Sequence, residues 1–275
     1  MNFIYKQKMV VISFMLAFII ITVGVVGIAN AQGAIDKIIS RGKILIGMSL
    51  DEPPIAFLNE KGEPSGYQVE IANDLANAMK VKLEVVEMPG PSRVPFLQTN
   101  KVDLVISCFT RTLERALVVD FSIPYYKTGI VLIVPEGSKI QSVADLVEGV
   151  KAGALRGTTG AIALEKMAKG ATLLVFEFAS DLYLALRQGK VDVIADDLVK
   201  AQYYKKMGQE KIEVRLPFLL VEDICIGVKK GNQDLLNWVD LFLYELHVSG
   251  KNAEYYKKYL GAEPPAFLIP WTVLQ

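Results

Sequence analysis

One histidine, His247, and two cysteines, Cys108 and Cys225, are all that the 275 residues offer of the side chains most used as metal ligands, bases and nucleophiles. A lone histidine in a helix-periodic stretch near the C-terminal end leaves no basis for a Ser-His-Asp arrangement or a histidine metal site. A solvated or half-buried surface position is expected for it. The cysteines lie far apart in the sequence, without zinc spacing, and are too few for a disulfide scaffold. Semi-buried free thiols are expected, although an exported chain would permit a bridge. An excess of charge is also missing, with 30 basic residues against 30 acidic ones, so no nucleic-acid or membrane footprint is present. The turn "RGTTG" (156–160) is not followed by Gly-Lys-Ser/Thr at the spacing of a P-loop, which excludes that nucleotide cradle.

A single long hydrophobic run is present. Lys6 and Lys8 precede the uncharged apolar stretch Met9 to Ile28, and Ala29-Asn30-Ala31 forms a small-x-small site after it. Residues 1–31 therefore read as a secretory signal, with an uncleaved membrane anchor as the rival. Either way the remainder is expected outside the cytoplasm. No cysteine follows the cleavage point, so no lipid anchor is expected there.

Beyond residue 31 the hydrophobic period alternates between that of strands and that of helices. Strands are expected at 43–50, 82–88 and 102–107, with helices at 68–79 and 93–100 between them. In the first of these helices Val69, Ala72, Ala76 and Met79 recur at helical spacing. The order βαβαβ implies a parallel sheet with helices on its faces. The pattern then restarts: strands at 150–157, 172–178 and 191–196 alternate with helices at 161–170, 181–189 and 198–207. Two such units predict an α/β protein of two lobes. Segments 125–134 and 221–231 carry the chain across and back, and helices at 235–250 and 253–261 complete the first lobe. The expected division is 33–126 plus 222–275 for lobe one and 127–221 for lobe two.

A local repeat gives this scheme geometric content. "LQTNKVDLVIS" (97–107) and "LRQGKVDVIAD" (186–196) align without a gap. Generic βα patterning would produce some of that likeness. The alignment nonetheless puts Ser107 and Cys108 at a strand end equivalent to that of Asp196 and Asp197. In open α/β sheets ligands sit beyond the carboxyl ends of strands, so two such edges facing each other would form a cleft.

The candidate binding residues cluster at those edges. An apolar strand runs directly into Ser107, Cys108, Thr110, Arg111, Thr112 and Arg115, which suits a wet cleft better than a core. Thr112 is a plausible N-cap, so Arg115 falls in the first helical turn, where its charge opposes the helix dipole at a cost of about 0.3–1 kcal/mol. It either holds a carboxylate through two parallel hydrogen bonds or pairs at the surface with Glu114 or Asp120. In "RGTTG", the amides and the hydroxyls of Thr158 and Thr159 would suit a small anion, or simply cap a helix. Asp196 and Asp197 would accept from an ammonium, and one of them is expected to cap the next helix. The tyrosines 203, 204, 255, 256 and 259 read as packing.

These segments resemble the bacterial extracytoplasmic solute-binding proteins for polar amino acids (family 3) that serve ABC importers. "GEPSGYQVEIANDLANAM" is similar to the family's Gly-Tyr/Phe-Asp-Val-Asp-Leu-Ala segment, and "KVDLVISCFTRTLERALVVDFSIPYY" to its Ser-x-x-Thr-x-Thr-x-Glu-Arg and Asp-Phe-Ser-x-Pro-Tyr stretch. "LRGTTG" and "GKVDVIADD" match its second-lobe motifs, and the likeness runs from about residue 35 to 262. The resemblance implies the two-lobed periplasmic-binding-protein fold (type II), each lobe a mostly parallel sheet, with two hinge crossovers. It implies capture of an α-amino acid by a monomer without a cofactor, and delivery to a membrane permease.

By the same resemblance Arg115 would hold the α-carboxylate, assisted by Thr110 and Thr159. Asp197 would hold the α-ammonium, and Ser107 would offer its carbonyl. Four departures stand out. Glu52 replaces an aromatic residue that stacks on the ligand, Gly90 stands where a second aromatic wall is usual, Cys108 replaces a small residue, and Gln68 replaces an acid. Glu52 would then either select a cationic or amide side chain or be a solvated loop glutamate. Two alternatives share the fold: an enzyme like cyclohexadienyl dehydratase, with Glu52 or Asp196 as proton donor, and a sensor module.

Overall fold

The computed structural model describes residues 33–207 and 211–264; the expected signal segment lies outside them. In chain order the elements are α1 (Ala34–Arg41), β1 (Lys43–Met48), β2 (Asp51–Glu52), β3 (Ala56–Leu58), β4 (Pro64–Ser65), α2 (Tyr67–Ala78), β5 (Lys82–Glu87), α3 (Arg93–Gln98), β6 (Leu104–Val105), α4 (Leu113–Ala116) and β7 (Val119–Pro135). There follow β8 (Lys151–Leu155), α5 (Thr159–Met167), β9 (Thr172–Phe176), α6 (Ala179–Arg187), β10 (Val193–Asp197), α7 (Leu198–Lys206), β11 (Ile212–Lys229), α8 (Gln233–Val248) and α9 (Lys251–Leu260). Among the described residues no helix is long and apolar enough to cross a membrane.

Eight strands form one sheet in the order β5-β1-β6-β11-β7-β10-β8-β9. Its ends repeat a motif. β5, β1 and β6 are parallel to one another, and so are β9, β8 and β10. Between them β7 and β11 run antiparallel along nearly their whole lengths, from Val119 opposite Lys229 to Pro135 opposite Ile212. The two expected βαβαβ units are therefore joined by one pair of crossing strands. β6 ends earlier than expected because the chain turns away after Val105, and Cys108 adopts a left-handed φ of 40°.

Side-chain alternation explains how both faces are buried. In β7, Ile130, Leu132 and Val134 pack into one apolar cluster with Leu164, Val193 and Ala195. Val131 and Ile133 point the other way, to Leu182, Ile194 and Tyr204. In the other half Ile44, Ile46 and Leu104 join Leu75, Ile226 and Leu243, while Val105 joins Leu97 and Phe109 on the opposite face. The cores thus sort into two pairs, one on each side of the crossing strands.

Two features lie outside the sequence expectation. Strands β2, β3 and β4 form a small antiparallel sheet, and α1 precedes β1. Strands of two or three residues are too short to show a period. The tyrosines expected to pack do so: Tyr256 is buried among Tyr67 and Tyr126, and Tyr183 stacks near Tyr204 at 4.0 Å. His247 departs from expectation. It is 8 % exposed, with Nε2 3.3 Å from the Pro124 carbonyl and Nδ1 3.1 Å from the Asn252 amide, so it ties α8 to the crossing strand. Burial pushes its pKa down.

Gly66 at the start of α2 has φ 121°, and a Cβ there would sit 2.5 Å from the Ile55 carbonyl oxygen. Gly66→Ala is expected to destabilise the fold by about 1–3 kcal/mol. Urea unfolding would show this as a lower midpoint, and an unchanged midpoint would contradict the geometry.

Candidate binding site

The carboxyl ends of β6 and β10, the small strand β2 and the N-terminus of α5 converge on a cavity of about 30 Å³. Of the residues singled out in the sequence, Glu52, Cys108, Thr110, Arg115, Thr158, Thr159 and Asp197 all line it. Ser107 does not. It is buried behind the wall, its hydroxyl 3.0 Å from both the amide and the hydroxyl of Ser49.

Arg115 enters from α4. Thr112 caps that helix and accepts from the Arg115 amide at 3.2 Å, as the sequence predicts. The guanidinium pairs with neither Glu114 nor Asp120. Nη1 donates to the Thr110 carbonyl at 2.8 Å, and Nη2 donates across the cleft to the Gly157 carbonyl at 2.9 Å. Burial, with the neighbouring Arg93 guanidinium, pushes its pKa down to about 10.

Asp197 ends β10 and caps α7. Its Oδ1 accepts from the Val199 amide at 2.8 Å and the Thr128 hydroxyl at 2.7 Å. The Tyr126 hydroxyl lies 3.1 Å from Oδ1 and 3.2 Å from Oδ2. Burial pushes the carboxyl up to about 6, against the pull of Lys200 and Thr128. Across the cavity Thr158 caps α5, accepting from the Ala161 amide at 3.3 Å. Thr159 is buried on the same wall, 8 % exposed.

Three charged groups on the wall had no role in the sequence reading: Arg93, Lys200 and Glu222. Lys200 is 3 % exposed, and its Nζ lies 2.6 Å from Asp196 Oδ1 and 3.1 Å from Glu52 Oε2. Burial disfavours its charge, but Asp196 and Glu52 outweigh that and hold it protonated. Glu52 is 5 % exposed, so it is not a solvated loop residue. Burial raises its pKa, yet Lys200 and Arg93 bring it below the ordinary carboxylate value. Its charge is already shared between two protein cations, which argues against a free anion waiting for a cationic ligand. Glu222 accepts from the Thr110 hydroxyl at 3.1 Å, its Oε1 is buried without a partner among the described residues, and burial pushes its pKa up.

The only available sequence signal for Lys200 was its i, i+4 spacing from Asp196. Arg93 and Glu222 carried none, because nothing local says which way a strand or a one-turn helix faces.

Cys108 and Cys225 are both free thiols. Burial and the Glu52 charge push the Cys108 pKa up, so its thiol is a wall group and not a nucleophile. No group of three or more His, Cys, Asp or Glu side chains suited to a metal ion occurs among the described residues.

Comparison with known proteins agrees with this architecture. Residues 44–262 match the family "Bacterial extracellular solute-binding proteins, family 3". The "ABC transporter glutamine-binding protein GlnH" of Bacillus subtilis is 32 % identical over 229 residues, covering 81 % of this chain and 82 % of that protein. Among solved structures, a mutant of ArgBP from T. maritima superposes with a TM-score of 0.79 at 34 % identity, covering 83 % of this chain and 100 % of that one. The "ancestral amino acid-binding protein AncCDT-1, a precursor of cyclohexadienyl dehydratase" superposes with a TM-score of 0.78 at 31 % identity, covering 82 % and 99 %. Family match, fold and cleft agree: the chain belongs to the bacterial extracellular solute-binding proteins, family 3.

Proposed function

We propose that this protein captures a free α-amino acid between its two lobes outside the cytoplasm and presents the closed complex to the membrane permease of an ABC importer. One observation carries the reading. The Arg115 guanidinium and the Asp197 carboxylate line the same cavity from opposite halves of the sheet. A zwitterion satisfies both. Its carboxylate would take the Arg115 donors now spent on the Gly157 carbonyl, with the hydroxyls of Thr110 and Thr159 and the α5 amides beside them. Its ammonium would lie against Asp197, and Ser107 would contribute only its carbonyl.

We take lobe one as 33–126 plus 222–275 and lobe two as 127–221; the paired cores on either side of β7 and β11 support that division. Among the described residues, contacts that bridge the cavity between the halves include Arg115 with Gly157 at 2.9 Å, Lys200 with Glu52 at 3.1 Å, and the Ala179 amide with Asp51 at 2.6 Å. A cavity of about 30 Å³ has the volume of roughly one water molecule. An amino acid therefore enters when the lobes part about β7 and β11. It binds the nearly closed form best because only that form brings both charges to it, and so shifts the population towards closure.

Each hydrogen bond to a charged group contributes about 1.5–3 kcal/mol, and a micromolar complex needs about 8 kcal/mol. A few such bonds are enough, and no covalent step, cofactor or second subunit is required. The dehydratase reading needs a carboxylic acid as proton donor. Glu52, held below the ordinary carboxylate pKa by Lys200 and Arg93, is a poor donor, while Asp196, whose pKa burial pushes up, is tied to the Lys200 ammonium at 2.6 Å.

Arg115→Ala is expected to weaken amino-acid binding by about 100-fold or more in calorimetry while the protein still melts cooperatively. Affinity within a few-fold of wild type would contradict the carboxylate role. The Asp197 pKa of about 6 sets a second expectation. An ammonium binds the ionised form, so affinity should be about tenfold weaker at pH 5 than at pH 7.5. The unliganded protein shows the opposite sign. A raised folded-state pKa contributes stability that is fully present below the unfolded value and is lost as pH rises through about 6. Asp197→Asn should flatten both trends; a titration unchanged in this variant would remove Asp197 from the site.

A further inference from the structure

Outside the charged cavity, α7 and the C-terminal end of α9 border a groove of about 440 Å³. That volume falls within the range of about 300–1,000 Å³ usual for sites that bury a ligand. One face of α7 lines it: Val199, Gln202, Tyr203, Lys206 and Met207 recur at helical spacing. The rest of the lining is Pro54, Phe57 and the stretch Lys257 to Gly261. In the division taken above α7 belongs to lobe two and the other residues to lobe one, so the groove spans both lobes. It also adjoins the Lys200–Glu52 bridge, because Val199 precedes Lys200 and Pro54 follows closely on Glu52. Val199 already packs against the core of the first half. Met207 is 53 % exposed, and Phe57 and Tyr203 are half-buried, so the apolar lining is only partly covered.

The chain itself leads to this groove. Gly261 lines it and ends α9 with a left-handed φ of 70°, which turns the backbone off the helix axis. Glu263 then pairs with Lys257, 3.3 Å away, so the chain doubles back along the last turn of α9. Eleven residues follow Pro264, PAFLIPWTVLQ. None is charged, and six are large and apolar: Phe267, Leu268, Ile269, Trp271, Val273 and Leu274. An apolar run of that density marks an interaction segment, and without Lys or Arg it meets no repulsion from Lys206, Lys257 and Lys258 at the groove. Length is sufficient. Phe267 lies six residues beyond Gly261, a reach of up to about 20 Å, whereas the α7 face from Val199 to Met207 is about 12 Å long.

We propose that residues 265–271 of this same chain dock in the groove, placing Phe267 and Trp271 against Tyr203 and Met207, and strap lobe two to lobe one. The effect on ligand rests on the amino-acid-binding reading above. Opening the lobes would strip the segment from α7. Docking therefore favours the closed form and tightens amino-acid binding without touching the ligand.

Trp238→Phe leaves Trp271 as the one tryptophan, and acrylamide quenching of its fluorescence in the purified protein tests the docking. Quenching should be well below that of the urea-unfolded chain and independent of protein concentration. Met207→Asp, in the groove, should abolish the protection; Met167→Asp, on the far end of α5, should leave it unchanged. Should Trp238→Phe fail to fold, chymotrypsin decides: cleavage after Phe267 or Trp271 should be about tenfold slower in the unsubstituted chain than in Met207→Asp. Full quenching, protection that survives Met207→Asp, or protection that grows with concentration and so reports a second copy, overturns the docking. In calorimetry Met207→Asp should weaken the best-bound amino acid by about three- to tenfold, and unchanged affinity would overturn the strapping of the lobes. If the unsubstituted protein bound no amino acid, the function proposed above would fail, while the fluorescence result would still decide the docking.

Discussion

Desolvated charge is the constraint around which this molecule is arranged. Seven acidic or basic side chains line a space of about 30 Å³: Arg93, Arg115, Lys200, Glu52, Asp196, Asp197 and Glu222. Ions removed from water are tolerated only when opposed and hydrogen-bonded. The fold meets this by bringing the opposing partners from different halves of the sheet. Lys200 on α7 reaches both Asp196 of its own lobe and Glu52 on β2 of the other. Arg115 on α4 reaches a carbonyl at the start of α5. In the proposed opening each of these groups would regain water, and on closing each would have to find a partner again. A small ligand carrying both signs of charge changes that balance, and this links the electrostatics of the cleft to the motion of the lobes.

The sheet makes such opposition available. Parallel strands present their carboxyl ends on one edge, and β7 with β11 join two parallel units so that β6 and β10 both end at the cavity. The gap-free likeness of 97–107 and 186–196 is the sequence trace of that arrangement. It pairs the Cys108 edge with the Asp197 edge, and both residues line the cavity. The strand and helix order was legible for the same reason: elements buried on two faces produce long apolar runs, and amphipathic helices produce clear periods.

What escaped the sequence is equally physical. Glu52 sits on a two-residue strand of a small sheet with no detectable period, so its burial was not legible. Arg93 and Glu222 acquire meaning only through partners distant in the chain, Glu52 at 3.9 Å and Thr110 at 3.1 Å. His247 reads as an ordinary polar position of α8, yet it is fixed by Pro124 and Asn252 inside the fold. The Ser107 hydroxyl turns back to Ser49, which leaves its carbonyl as the group offered to a ligand in the proposed reading. For Arg93, Glu222 and His247 the local pattern gave the element, and the long-range contact decided what the side chain does.

The most direct test of the central claim is a crystal structure of the protein with its amino acid bound. Opposed charges on two walls require the α-carboxylate at about 2.7–2.9 Å from the Arg115 guanidinium and the α-ammonium against Asp197, both within one closed cleft. An amino acid seated outside that cleft, or bound there with Arg115 still turned to the Gly157 carbonyl, would contradict it.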